Sequence, residues 1–471
     1  MLPASDDAAK RVAELLTDRR VRVTFKVVGE KARTLERRGR SDVIRALKKH
    51  VIAFHSDFHS VHPTPSEYLA ECGLLDGIEE FVRREGDGAA DVRRIFGVKT
   101  LACYGQPGSS WGPQTIAGLK QIGVAPHGVP CYVDEGTHIG LDERPFWYIS
   151  ALNVYHMGGN YTRMDLHDAT AVEPAKKKVS AIADRLRTKD GGGLISIFYH
   201  PCEWVHEQFW DGVNFAHGAN PPREEWKAPP QRTAEETESA FRRFGEYVDH
   251  IRSIPGVKFI TAEDLPTLYP DATREQVSEA EVTRLAEGIL SNSNGLSFQV
   301  MSGKSFSLAD QFELLARGLS SRMAKPGKAS KLATSGVLGP DQGAMAGSLA
   351  EINALQFRDS LKDVNEFIAA NGRVPARVFV GPEVVRPADF LYAMAFAWNE
   401  ASRSGKIPET IVLGKNLAVT AERYVAKDTP NLFGDWVIHK EGFRAPKILE
   451  IARLQTWTLK PALLKLNHPK D

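Results

Sequence analysis

Cysteine is scarce in this 471-residue chain: Cys72, Cys103, Cys131 and Cys202 are widely spaced and form no CxxC pair. That excludes a zinc knuckle and a disulfide scaffold, and leaves four thiols expected to be reduced and packed in a core. An excess of one charge is missing too, since 60 Lys and Arg stand against 59 Asp and Glu. A chain so balanced carries no electrostatic footprint for nucleic acid or an anionic membrane; a neutral small molecule or a sugar suits it at least as well. No stretch approaches the ~18 consecutive apolar residues of a membrane span. The opening Met1-Leu-Pro-Ala-Ser-Asp-Asp7 lacks the basic and apolar regions of a secretory signal. As written, the chain is expected to be cytoplasmic, with no transmembrane segment.

What is present is ordinary globular material, 42% hydrophobic and 25% charged, over a length that calls for about two or three domains. Ser5 opens a helix with Val12, Leu15 and Leu16 on one face, and Val21-Arg-Val-Thr-Phe-Lys-Val-Val-Gly29 reads as a strand ending in a turn. A helix at about 42–50 and the apolar run Val51-Ile-Ala-Phe54 follow, and further strands are expected at 99–104, 194–199 and 257–260. Helices at about 175–188 and 235–254 alternate with them, so the class is α/β with a parallel sheet or barrel. From about residue 273 helices with short turns take over, and 325–347, rich in Gly, Ser, Ala and Lys, reads as a mobile linker. Beyond it Phe357, Leu361, Val364 and Phe367 stand at helical spacing. The expected division is therefore 1–272, 273–324, 325–347 and an α-rich unit over 348–471.

The densest chemical signal is Phe54-His-Ser-Asp-Phe-His-Ser-Val-His-Pro63, with three imidazoles and one carboxylate at the end of an apolar strand. His55 and His59 can converge on one metal ion if the chain turns helically between them. By spacing alone, capping a helix or satisfying a buried loop is an equal alternative. Loops after parallel strands are where α/β folds carry their sites.

His55-Ser-Asp-Phe-His59-Ser matches H-[ST]-x-x-H-[SP], and in this the chain resembles the polysaccharide deacetylase superfamily over roughly residues 10–270. The preceding Val23-Thr-Phe-Lys-Val-Val-Gly29 looks like that family's A-T-F-F-V-x-G strand, and Ile197-Phe-Tyr-His200-Pro like its late histidine strand. Phe259-Ile-Thr-Ala-Glu-Asp-Leu265 looks like its closing strand and helix start. The resemblance implies a distorted (β/α) barrel and a divalent ion, zinc by preference, held by His55 and His59. It also implies that His200 acts as the acid toward a leaving amine, in a hydrolase that removes N-acetyl groups from a glycan or related molecule.

Two features depart from the pattern. No T-F-D-D strand precedes Val21, so the barrel is expected to lack its first strand together with the family's base and third ligand. Either that strand is encoded upstream of Met1, which leaves export open, or the chain is a catalytically impaired carbohydrate- or envelope-binding protein. Asp57 is the nearest carboxylate to serve as substitute base or ligand, with Asp165 and Asp168 as others. Secondly, Tyr104-Gly-Gln-Pro-Gly-Ser-Ser-Trp-Gly112 stands where the family has R-x-P-x-G, without the arginine. Gln106, Gly108 and Trp111 of this loop are expected at the substrate, as are Trp204 and Trp210 after His200, because aromatic rings cover the C–H faces of sugars.

In the last third, Asn371-Gly-Arg-Val-Pro-Ala-Arg-Val-Phe-Val-Gly381 followed by Ala388-Asp-Phe-Leu391 resembles the pseudomurein-binding-type repeat. Phe298-Gln-Val-Met-Ser-Gly-Lys-Ser-Phe-Ser-Leu-Ala-Asp-Gln-Phe312 is a fainter partner. The resemblance implies contact with a cell wall; a plain helical accessory domain is the alternative.

Overall fold

Val51-Ile-Ala-Phe54 is apolar at every position, the pattern of a strand covered on both faces, and all four residues are buried. The computed structural model describes residues 3–134, 136–142, 144–149, 153–156, 160–188, 192–292, 295–324, 332–345, 347, 349–434 and 436–465. In it β1 (Thr24–Val27) runs parallel to β2 (Val51–Phe54), with Lys26 opposite Ala53. Bridges from Phe54 to Tyr104 and from Tyr104 to Tyr132 continue the parallel order to β3 (Cys131–Asp134). Beyond β3, β4 (Phe146–Trp147) lies antiparallel to β5 (Asn153–His156), and β5 is parallel to β3.

The two faces of this sheet differ. Ile52 and Phe54 join the largest core with Phe81, Ala89 and Val92 of the helix Leu74–Phe96. That helix stops at Gly97, whose left-handed φ of 60° lets its N–H turn back to Arg93 and Arg94 carbonyls. On the opposite face Val51 and Ala53 pack with Cys103, Cys131, Trp147 and Leu194. Lys26, paired with Ala53, projects from this same face. The helices expected near 175–188 and 235–254 are observed as Val172–Thr188 and Ala234–Ser253 and pack against each other. Mixed helix and strand is therefore the observed class.

Among the described residues, three expected strands form no ladder. The 101–105 segment hydrogen-bonds to Ile52, Phe54 and Cys131 carbonyls and bridges only at Tyr104. The 194–199 segment bridges only at Ser196, and in 257–260 Phe259 and Ile260 are exposed. An apolar sequence supplies the inclination to pair, but each ladder also needs a neighbour in register.

The helical region is a duplication. The first copy runs helix Glu279–Ser291, hairpin β6 (Gln299–Met301) and β7 (Lys304–Phe306), helix Leu308–Ala324. The second is entered by β8 (Glu351–Asn353) and continues with helix Ala354–Asn371 and hairpin β9 (Val378–Val380) and β10 (Glu383–Val385). Helix Pro387–Ser404 and β11 (Thr410–Val412), antiparallel to β8, complete it. The offset is constant: Gln299 corresponds to Val378, Lys304 to Glu383 and Leu308 to Pro387. The first helix of one copy packs on the last helix of the other, which closes a shared core around Phe312, Leu361 and Trp398.

The expected boundaries need two corrections. Part of the supposed linker is anchored, with Val277 N–H donating to the Leu332 carbonyl and Thr334 N–H to that of Thr273; residues 325–331 lie outside the described residues. The chain also does not end in the α-rich unit. Val425, Phe433, Ile448 and Leu449 return to the first core, and β12 (Lys460–Pro461) pairs antiparallel with β4. Buried Lys460 reaches Asp271 at 2.9 Å and Asp310 at 2.7 Å, fastening the helical unit to the sheet edge. Among the described residues no helix is long and apolar enough to cross a membrane.

Candidate functional site

His55 follows β2 directly, and its N–H still donates to the Val27 carbonyl of β1. The turn after it is not helical. Ser56 and His59 adopt left-handed φ of 63° and 59°, a conformation that costs non-glycine residues about 1–3 kcal/mol each. This turn swings His59 back onto His55, with ring centroids 4.8 Å apart.

The hydrogen-bond network fixes the role of each Nδ1. His55 Nδ1–H donates to the Gly105 carbonyl at 2.8 Å. His59 Nδ1–H donates to Ser60 Oγ at 2.6 Å, and the Ser60 hydroxyl in turn donates to Asp211 Oδ1. The two Nε2 atoms face each other at 3.2 Å, close enough for one ring to donate to the other or for both to hold one cation. Two nitrogen ligands of a tetrahedral zinc ion, each at about 2.0–2.1 Å, stand about 3.3 Å apart. The spacing of the pair is that of two ligands on one ion, and a hydrogen bond between the rings fits it as well. Burial, then the neighbouring His59 and the Lys26 charge, holds His55 well below its ordinary 6.5, which keeps it a neutral ligand. Among the described residues no group of three or more His, Cys, Asp or Glu side chains could hold an ion, so no third protein ligand joins the two.

Around the pair stand residues from distant parts of the chain. Asp211 lies 3.6 Å from His59 Nδ1. Burial pushes its carboxyl up, but the His59 charge and the hydrogen bonds from His59 and Ser60 outweigh this and hold it below the ordinary carboxylate range. His200 lies near enough for its charge to act on both His55 and Asp211. Its Nδ1 is 3.0 Å from Glu203 Oε1, and Glu203 also pairs with Arg163. Those two hydrogen bonds overcome the burial that would raise Glu203 and keep it ionised. Phe209 stands edge-on to His200 at 5.1 Å, and Trp436, from the returning end of the chain, edge-on to His59 at 5.5 Å. Lys26 lies over Gly105, the residue that holds His55, and burial lowers its ammonium to about 8.

No family model, curated protein or solved structure matches the chain. The functional reading therefore rests on these residues and their geometry.

Several expected site residues serve elsewhere. Asp57 turns into the helix layer, where Arg33 binds its Oδ1 at 2.6 Å and its side chain fills the space that Cβ atoms on Gly29 and Gly88 would need. It is neither ligand nor base. Burial raises its carboxyl and the Arg33 charge only partly offsets this. Asp165 and Asp168 cap their own turns. Gln106 is fully buried and hydrogen-bonded to the Tyr132 hydroxyl at 2.7 Å. Trp111 and Trp204 are core residues, the first in the main cluster and the second against Phe241 and Phe244. Trp210 packs on Phe215 and Trp226 rather than on the imidazoles. Gly108 does reach the site: the Trp436 indole lies where its Cβ would be, so only glycine lets the ring close down beside His59.

Asp211, Glu203, Phe209 and Trp436 were not foreseen. Glu203 carried a local signal, since His200-Pro-Cys-Glu203 has capping-box spacing. The other three carried none.

Proposed function

We propose that this chain is a metal-dependent hydrolase of the polysaccharide deacetylase type, its parallel strands forming a distorted (β/α) barrel without the first strand. It removes N-acetyl groups from a glycan or related molecule. The observation that carries the reading is the pair of Nε2 atoms facing each other at 3.2 Å. His55 and His59 would hold a divalent ion, zinc by preference, and when bound it supplies the charge that polarises an acetamide carbonyl. Ser60 and Asp211 fix the His59 ring, as partners behind a ligand do. Water adds to the carbonyl carbon and gives up a proton to solvent; as the C–N bond breaks, the departing nitrogen takes a proton from His200, which solvent reprotonates. Glu203 orients that imidazole from its Nδ1 side.

Isothermal titration with zinc at neutral pH tests this. One equivalent should bind, and His55→Ala and His59→Ala should each abolish binding. His200→Ala should retain zinc yet release acetate from N-acetylglucosamine oligomers roughly 10²–10⁴-fold more slowly. A wild-type chain that takes up no zinc overturns the reading.

A second reading, glycan or envelope binding without catalysis, is favoured by the commitment of Asp57 to Arg33. In it the duplicated helical unit, which resembles pseudomurein-binding-type repeats, makes the wall contact. It predicts glycan binding that survives loss of both histidines.

A further inference from the structure

As a zinc site the histidine pair is one ligand short. Catalytic zinc sites hold three protein ligands, two histidines and a carboxylate in one common set. Among the described residues no third His, Cys, Asp or Glu joins His55 and His59. Asp57 is committed to Arg33, and Asp211 stands behind His59 on its Nδ1 side. What the sheet places beside the pair is a lysine.

Its placement follows from register. Lys26 on β1 lies opposite Ala53 on β2, and His55 comes two residues after Ala53, so Lys26 and His55 project from the same face in successive rows. Ala53 and Gly105 are the small residues that make room for the lysine stem: a Cβ on Gly105 would stand 2.6 Å from Lys26 Nζ and 2.9 Å from its Cδ and Cε. The carbonyl of the same Gly105 accepts from His55 Nδ1–H at 2.8 Å. One glycine thus seats both side chains. The lysine is near enough for its charge, after burial and His59, to hold His55 below its ordinary value.

As an ammonium, this side chain works against the site. A positive charge beside two neutral imidazoles repels a divalent ion, and more strongly in a protein interior than in water. Burial, opposed by the pull of Cys103, Asp134 and Cys131, lowers the ammonium to about 8. At pH 7 about one side chain in ten is then a neutral amine, against fewer than about one in a thousand for an ordinary lysine. The ammonium lies deep, yet the residue as a whole keeps some exposed surface, which opens it to a small dissolved gas.

We propose that Lys26 is carboxylated by dissolved carbon dioxide and that the resulting carbamate is the third, anionic ligand beside His55 and His59. The amine nitrogen attacks the carbon of carbon dioxide, one C–O π pair moves onto oxygen as the N–C bond forms, and a proton leaves the nitrogen for solvent. A lysine amine and carbon dioxide thus give a carbamate and a proton, with no oxidant or reductant. The charge at this position changes sign, so metal ion and carbamate stabilise each other. The proposal rests on the reading of His55 and His59 as metal ligands.

The intact chain should be incubated with zinc and dilute carbon-13 bicarbonate, then treated with triethyloxonium ion, which fixes a carbamate as its ethyl ester for peptide mass analysis. Wild type should carry the labelled ester on Lys26 and, before trapping, show a carbamate carbon in its carbon-13 spectrum. Titration calorimetry should find zinc bound about 10-fold or more tighter with bicarbonate than in buffer freed of carbon dioxide, since even a partner behind a ligand is worth that much. Lys26→Met should lose both the label and the bicarbonate effect. Zinc-loaded wild type without label on Lys26 overturns the proposal, and so does a bicarbonate effect that survives in Lys26→Met. Because the label is read on wild type, a Lys26→Met chain that fails to fold leaves the test decisive. Zinc held by His55 and His59 without the label refutes the carbamate alone; a chain that takes up no zinc with or without bicarbonate refutes the metal reading on which it rests.

Discussion

Glu85→Gln should reverse the pH dependence of stability around the histidine loop. Glu85 sits on the helix Leu74–Phe96, only 5% exposed, where its carboxyl accepts from Asp57 N–H at 2.6 Å and from the Tyr68 hydroxyl at 3.1 Å. Burial is the main cause that lifts its pKa from 4.5 to about 7. Because the folded value lies above the unfolded one, the stability linked to this group is complete below pH 4.5. It is lost as pH rises through 7. At 1.36 kcal/mol per unit, that loss amounts to about 3 kcal/mol by pH 8. Glutamine cannot ionise and keeps one acceptor oxygen for Asp57, at a cost of about 1 kcal/mol for the altered Tyr68 contact. About 0.8 kcal/mol of the loss is already incurred at pH 5, so the variant should be weaker than wild type there by only about 0.2 kcal/mol, and stronger by about 2 kcal/mol at pH 8. Urea denaturation of both chains at the two pH values, followed by tryptophan fluorescence, measures the difference. A variant whose deficit is the same at pH 5 and pH 8 would refute the assignment of a proton to Glu85.

Two other substitutions probe how the end of the chain is attached. Gly108→Ala puts a Cβ into the space of the Trp436 indole at a residue with φ of 50°, so it should cost about 1–3 kcal/mol and red-shift the indole emission as the ring leaves His59. Lys460→Met leaves Asp271 and Asp310 buried beside each other without their cation. It should cost about 3–5 kcal/mol in thermal unfolding, and the double change Asp310→Asn with Lys460→Met should recover part of that loss.

The helices were the most legible part of the fold, because their signal is local. Thr233 with Glu236 and Ser278 with Glu281 close capping boxes that open two helices, and the apolar spacing of Phe357, Leu361 and Val364 reappears as a buried stripe. Strands were harder to read. Val51–Phe54 is apolar on both sides and is a central strand, yet 257–260, apolar except for Lys258, forms no ladder among the described residues. The domain limits failed for a related reason: no local feature of Ile448, Leu449 or Lys460 tells that they return to the first unit.

At the site, the sequence by itself determined the histidine pair and its place at the end of a buried strand, because those residue types stand in one short motif; His200 came only from the resemblance to the deacetylase pattern. Only the tertiary structure decided what they work with. It turned Asp57 away into a salt bridge with Arg33, buried Trp111 and Trp204, and brought Asp211 and Trp436 to His59 from far along the chain. The physical reason is that a side chain's direction is set by backbone φ at single positions, here Ser56 and His59 in the left-handed region, and by which distant surfaces find room to pack. Neither leaves a periodic trace in the sequence.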